Sequence, residues 1–237
     1  MFYQLEKDLQ NDLQNLVSDY EIKKRSNTYV RREVPVGECV PDLVTVKFHK
    51  NPTIKKWPRK WSAIYSYFLW IFRKWNHLSI EELSEKYFDT PKRIQPYIND
   101  LLKYELINES EGYYFLSPEY LKMDVEVIAF EAKLFRWHEA LNQGIRYSQF
   151  ANKVYVVMDP EGLPKRDSSL DLFRKHGIGL CGISNSSFNI IIKAKNNLEV
   201  NYENEYLINS TLLPARQTFW SCLNSENASH QFATCSF

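Results

Sequence analysis

The order of elements in the second half of the chain constrains its fold most strongly. Val125 to Leu134 (VEVIAFEAKL) alternates, as a strand with one buried face does. Trp137 to Phe150 reads as a helix, and Lys153 to Met158 (KVYVVM) as a strand buried on both faces. Leu170 to His176 is a short helix ended by Gly177, and Ile178 to Ile183 (IGLCGI) is another buried strand. This strand–helix–strand–helix–strand order implies a mixed α/β sheet flanked by helices.

The first fifty residues supply a helix and two further strands. Leu5, Leu9, Leu13, Leu16 and Tyr20 recur at spacings of three and four, which predicts an amphipathic helix with all five on one face. Tyr29 to Val36 and Leu43 to Phe48 (LVTVKF) read as strands separated by a turn at Gly37. From Asn197 onward the chain is polar and mildly acidic, and its pattern assigns no structure.

Between the two sheet segments the composition changes. Ser62 to Trp75 is a helix apolar nearly all round, to be buried on several sides. Ser79-Ile-Glu-Glu opens a second helix with a capping box. Thr90-Pro91 opens a third, to about Tyr104, in which Pro96 predicts either a later start or a bend. Leu106 to Leu116 reads as a hairpin around Asn108-Glu-Ser-Glu-Gly112. Three helices and a hairpin form the pattern of a winged helix-turn-helix. The domains expected are a discontinuous core at 1–50 and 123–196, an insert at 58–122, and a C-terminal extension at 197–237.

Composition excludes several classes. The chain has 237 residues, 44% of them hydrophobic, with 30 basic and 29 acidic side chains. These values fit a globular protein rather than a disordered tail. Only seven residues are glycine, so glycine-rich phosphate loops have little room. The longest nearly apolar run, Ala63 to Phe72, is about half the ~20 residues of a membrane span. The N-terminus carries acids where a signal peptide carries basic residues. Cys39, Cys181, Cys222 and Cys235 lack paired spacing, so the expectation is a soluble cytoplasmic protein with reduced thiols.

The net charge of +1 conceals a segregation. Leu43 to Ile80 contains no acid and eight basic residues, Lys55, Lys56, Arg59 and Lys60 among them, while the rest of the chain nets −7. Interleaved with Trp57, Trp61, Trp70 and Trp75, this stretch is either a phosphate-contacting surface or a solvated loop entering a helix. Exposed Lys92, Arg93, Gln95 and Asn99 on the third helix would be the groove-reading side of a DNA-binding insert. Winged helices also serve as protein-docking surfaces.

Two short motifs carry chemistry. Pro41-Asp42 opens one strand, and Glu131-Ala132-Lys133 lies near the end of another. If the strands are neighbours, two carboxylates and a backbone carbonyl form an oxygen-rich site suited to Mg²⁺. A lysine beside them could orient a water and stabilise charge on a phosphate oxygen. Charges on an otherwise buried strand face are costly unless paired or metal-bound. Taken alone, Glu-x-Lys reads by default as a surface ion pair.

In this order the residues resemble the PD-(D/E)XK nuclease superfamily, whose restriction-endonuclease-like core is a helix, a three-stranded meander, a helix and a strand. Asp42 and Glu131-Ala132-Lys133 match its signature, and Glu6 in the first helix matches a frequent additional acid. Gln143-Gly-Ile-Arg-Tyr147 looks like the Q-x-x-x-Y extension of the RecB-like branch. His176 to Ile183 is similar to the last core strand. The resemblance covers about residues 1–46 and 124–183 and departs from the family in the long insert between the second and third strands. It implies a metal-dependent DNA endonuclease, with Asp42, Glu131 and the Ala132 carbonyl holding Mg²⁺ or Mn²⁺. Lys133 would position the water, Gln143 and Tyr147 would steady the site and the DNA backbone, and Glu6 would be auxiliary. Glu33 and Glu38 are alternative ligands. The partners implied are DNA and, through the insert, a second copy or another protein, with no membrane.

Overall fold

Leu9 and Leu13, one turn apart, are both fully buried and anchor helix α1 (Glu6–Lys23) against a sheet. A computed structural model describes residues 3–23, 27–49, 61–184, 187–201, 204 and 206–208. The buried stripe of α1 is narrower than its leucine spacing predicts. Leu5 precedes the helix and is exposed, and Tyr20 lies beyond Leu16 and Val17, the last of its residues to reach that core.

Strands β1 (Asn27–Arg32) and β2 (Leu43–Phe48) pair antiparallel. The first strand is shorter than Tyr29 to Val36 implies, because Glu33 turns the backbone to a φ of 47°. Val36 and Cys39 then bridge across a tight turn at Gly37, whose φ of 57° suits glycine.

Six elements follow before the sheet resumes: α2 (Ala63–Trp75), α3 (Ile80–Tyr87), α4 (Pro91–Lys103), β3 (Ile107–Ser110), β4 (Tyr113–Leu116) and α5 (Pro118–Leu121). Ser79 caps α3 through the expected reciprocal box: its hydroxyl accepts from Glu82 N–H, and Glu82 accepts from Ser79 N–H. Helix α4 does not start late: it begins at Pro91 and runs through Pro96. Pro96 occupies an exposed face near the N-terminal end, so the Lys92 carbonyl it leaves without an N–H partner can face water. Leu78 bridges Tyr114, adding a third short segment to the β3–β4 hairpin. These elements enclose their own apolar core, including Phe68, Phe72, Leu83, Ile94, Ile98 and Tyr120.

The sheet resumes with β5 (Val125–Lys133), α6 (Trp137–Tyr147), β6 (Lys153–Met158), a 3-10 turn at Pro160–Gly162, α7 (Asp167–His176), β7 (Gly179–Ser184) and β8 (Ser187–Ile192). The strands form one mixed sheet in the order β1-β2-β5-β6-β7-β8, with β5, β6 and β7 parallel. Helix α1 covers one face through Leu43, Phe130 and Val157, while α6 and α7 cover the other through Val44, Ala129 and Val156. Strand β8, which the sequence pattern did not announce, forms an edge with Ile190 and Ile191 exposed. Phe48 pairs with Val125, and His49 N–H donates to the Asp124 carbonyl, so the intervening segment leaves and re-enters the sheet at adjacent points. Loop-closure entropy rises slowly with length, which allows a folded segment at such a junction.

Candidate active site

The register of β2 on β5 brings the two motifs together. Leu43 pairs with Phe130, and one further step along the ladder sets Asp42 opposite Glu131. By alternation Glu131 points to the α6 face with Ala129 and Val127, while Asp42, just before β2 begins, is reached by Gln10 of α1. Glu131 is only 1% exposed.

Every charged group here has a partner. The Tyr147 hydroxyl donates to Glu131 Oε2 at 2.7 Å and lies 3.3 Å from the Val40 carbonyl. Lys133 Nζ sits 3.1 Å from Glu131 Oε1 and donates to Glu6 Oε1 at 2.8 Å. The Ala132 N–H donates to Asp42 Oδ2 at 2.7 Å. The Gln10 amide donates to Asp42 Oδ1, also at 2.7 Å. Tyr147 reaches the site because α6 lies close on the sheet. A Cβ at Gly144, one turn earlier, would come within 3.3 Å of Ile178 and 3.4 Å of Val154.

The electrostatics follow from this crowding. Burial, then the neighbouring Glu131 carboxylate, push Asp42 up to about 7, against the opposing pull of the Ala132 N–H and Lys133. Burial also raises Glu131, opposed by Tyr147 and Lys133. Burial alone would lower Lys133, but the Glu6 hydrogen bond and the Glu131 charge outweigh it and hold the ammonium above its usual range. Lys133 is therefore a fixed cation and hydrogen-bond donor at neutral pH, not a base. Burial and Glu131 raise Tyr147, which stays a protonated donor.

Of the residues singled out by sequence, Glu6, Asp42, Glu131, Ala132, Lys133 and Tyr147 converge at one place. Gln143 is half-buried on α6 and makes no hydrogen bond to them among the described residues. Glu33 and Glu38 are exposed on the β1–β2 connection and join no ion pair among the described residues. Lys92 and Arg93 are exposed on α4, Arg93 within 3.6 Å of Asp89, while Gln95 donates to Asn99. Lys55, Lys56, Arg59 and Lys60 lie outside the described residues.

Sequence reasoning missed Gln10 and Arg32. Gln10 gives its amide N–H to Asp42, while its carbonyl lies 3.4 Å from Arg32, which also donates to Asn11 at 2.7 Å. The available signal was the spacing of four between Glu6 and Gln10, which puts both on one side of α1.

The donor set suits a small divalent cation. Three carboxylates, Glu6, Asp42 and Glu131, surround one ammonium, and mutual repulsion helps hold Asp42 high. Among the described residues no cluster of three or more His, Cys, Asp or Glu side chains is arranged to hold a metal. Mg²⁺ is commonly held by one or two carboxylates together with waters, so Asp42, Glu131 and the Ala132 carbonyl remain a fitting set. No described helix is long and apolar enough to cross a membrane.

No family model matches the chain, and no curated protein matches it. Among solved structures, the chain is matched by a protein of unknown function from Silicibacter pomeroyi, at 14% identity and a TM-score of 0.27, over 54% of this chain and 82% of that one. A superposition that loose bears on neither fold nor activity.

Proposed function

We propose that the protein is a metal-dependent DNA endonuclease with a restriction-endonuclease-like core and an inserted winged helix. One observation carries the reading: Asp42 and Glu131 lie on neighbouring strands beside Lys133, and Tyr147 from the following helix is bonded to Glu131. Burying two carboxylates side by side is unfavourable, and such perturbed groups concentrate at functional sites.

Asp42, Glu131 and the Ala132 carbonyl would hold Mg²⁺ or Mn²⁺. When bound, the cation supplies positive charge to a phosphate and lowers the pKa of a water. Tyr147 and Gln10 fix the two carboxylates from opposite faces of the sheet. Glu6 steers the Lys133 ammonium, which donates a proton-bearing, positively charged group toward an attacking water or a phosphate oxygen.

The test is plasmid cleavage in Mg²⁺ or Mn²⁺ beside Lys133→Ala and Asp42→Ala. Wild type is expected to cut, and each variant to lose activity by about a hundredfold or more. Absence of cleavage by wild type in either metal would defeat the reading. Cleavage unaffected by both substitutions would refute the site.

For the insert, protein docking is a second reading. Residues 58–122 contain nine acids and nine basic residues, so no net positive charge draws DNA, and the β3–β4 hairpin exposes Glu109 and Glu111. Reversing Lys92 and Arg93 to glutamate separates the two roles: weaker DNA binding with a shallower salt slope supports groove reading, and an unchanged slope supports docking.

A further inference from the structure

A cleft of about 330 Å³ opens at the end of the parallel strands opposite to Glu131, where β6 and β7 begin. Its rim combines Lys175 and His176 from the last turn of α7, Lys195 and Asn196 from the segment after β8, and Ser148 and Asn152 from beyond α6. No acid lines it. The side chains of Lys175, His176, Lys195 and Asn196 are exposed and make no ion pair or hydrogen bond among the described residues. Nearby Arg174, by contrast, is bound to Asp171.

Basic residues at a helix C-terminus are often explained by the dipole. That accounts for Lys175 and His176 but not for Lys195, which arrives from another element. Two of the last-turn carbonyls are already satisfied: Gly177 N–H donates to Arg174, and Ile178 N–H to Phe173. The Lys195 N–H in turn donates to the Gly177 carbonyl. Gly177, at a φ of 72°, also makes room, since a Cβ there would stand 3.2 Å from the Lys195 Cβ. The backbone thus holds a second lysine over the helix end, where no carboxylate among the described residues pairs with it.

We infer that this cleft is a phosphate-binding site, separate from the Asp42–Glu131 site, that takes a phosphate ester of a nucleotide or of a nucleic-acid strand. Its size suits one phosphate with its sugar and base rather than a duplex. Lys175 and Lys195 supply the charge, and the His176 ring and the Asn196 amide supply further hydrogen bonds, while the Ser148 hydroxyl and the Asn152 amide are bonded to the Ile145 and Asn197 carbonyls. The inference does not depend on the nuclease reading. Binding without cleavage would reject that reading and keep this site.

The experiment follows backbone amide resonances of the full chain in EDTA. Thymidine 5′-monophosphate, a twelve-nucleotide oligothymidylate and unphosphorylated thymidine are the probes. The two phosphates should shift the amides of Gly177, Ile178 and Lys195, and thymidine should not. Lys175→Gln with Lys195→Gln should weaken both by about tenfold or more, while Lys103→Gln, at an exposed position of α4, leaves them unchanged. An oligonucleotide that binds tighter, with a steeper salt dependence, identifies a strand as the source; equal affinities identify the free nucleotide. Unmoved amides, or affinities indifferent to the double substitution, overturn the inference.

Discussion

Among the described residues the core of the insert buries only neutral polar side chains, Ser66, Ser84 and Ser117, whereas the sheet buries the carboxyls of Glu131 and Asp159. The two carboxyls are also held differently. Asp159 accepts backbone amides, from Tyr3 at 3.0 Å and Glu161 at 2.9 Å, and so fixes the chain start to the turn after β6. Glu131 is held by the side chains of Tyr147 and Lys133, beside a second acid. A folding device needs nothing beyond the first arrangement. The second adds repulsion that the fold alone does not require, which is why function is sought there and not in the insert.

Phe68→Ala tests whether the insert is an independently packed core. Phe68 is fully buried with Phe72 and Tyr87 around it, so truncation should cost about 3–5 kcal/mol. Hydrogen exchange should show lost protection in α2 and α4 with β5 and β6 still protected. Equal loss in both regions would mean that the two cores unfold as one.

Asp42→Asn probes the opposite sign. An acid raised from 3.8 to about 7 binds its proton more tightly when folded than when unfolded. Its folded state is therefore favoured below pH 4, and that advantage is lost as pH rises toward 7. Asparagine removes the charge, so in EDTA the variant should be more stable than wild type at pH 8 and no different at pH 4. The upper bound on the gain is about 4 kcal/mol, at about 1.4 kcal/mol per pH unit, and partial exposure of Asp42 reduces it. A pH-independent difference would show that the site does not hold Asp42 high.

Mn²⁺ should reverse that order. At a hundred times its dissociation constant, a cation that binds only the folded state stabilises by about 2.7 kcal/mol. Wild type should gain thermal stability and lose it in EDTA, while Asp42→Asn should gain little. Insert substitutions such as Lys92→Ala should leave the gain intact.

The sequence made the sheet and the charged motifs legible because both are local patterns. Alternation through Val125, Val127, Ala129, Glu131 and Lys133 announced a strand whose buried face turns charged at its end. The cap at Ser79 was equally readable. Strand β8 was not, because as an edge strand shifted by a bulge at Leu180/Cys181 it exposes Ile190 and Ile191 rather than alternating. Pro96 suggested a later start for α4 only because sequence does not say that its missing bond falls on an exposed face. Gln10 and Arg32 escaped notice because their roles exist only once α1 lies across β1 and β2.

The smallest effect compares one residue type in the two regions. Gln10 and Gln95 are both helical and both donate an amide N–H to a side-chain oxygen, Gln10 to Asp42 at 2.7 Å and Gln95 to Asn99 at 2.9 Å. The Gln95 bond is exposed, so Gln95→Leu should change stability by no more than about 0.5 kcal/mol. Gln10 sits between Arg32 and a half-buried carboxylate, so Gln10→Leu leaves both without that partner. The cost should be about 1 kcal/mol in denaturant unfolding at pH 8. Because Gln10 orients a proposed ligand, Mn²⁺ affinity should also fall by about tenfold, as it does when the residues supporting metal ligands are removed. A stability loss without any change in Mn²⁺ affinity would reduce Gln10 to a packing residue, and the contrast between the two regions would then rest on Glu131 and Lys133 alone.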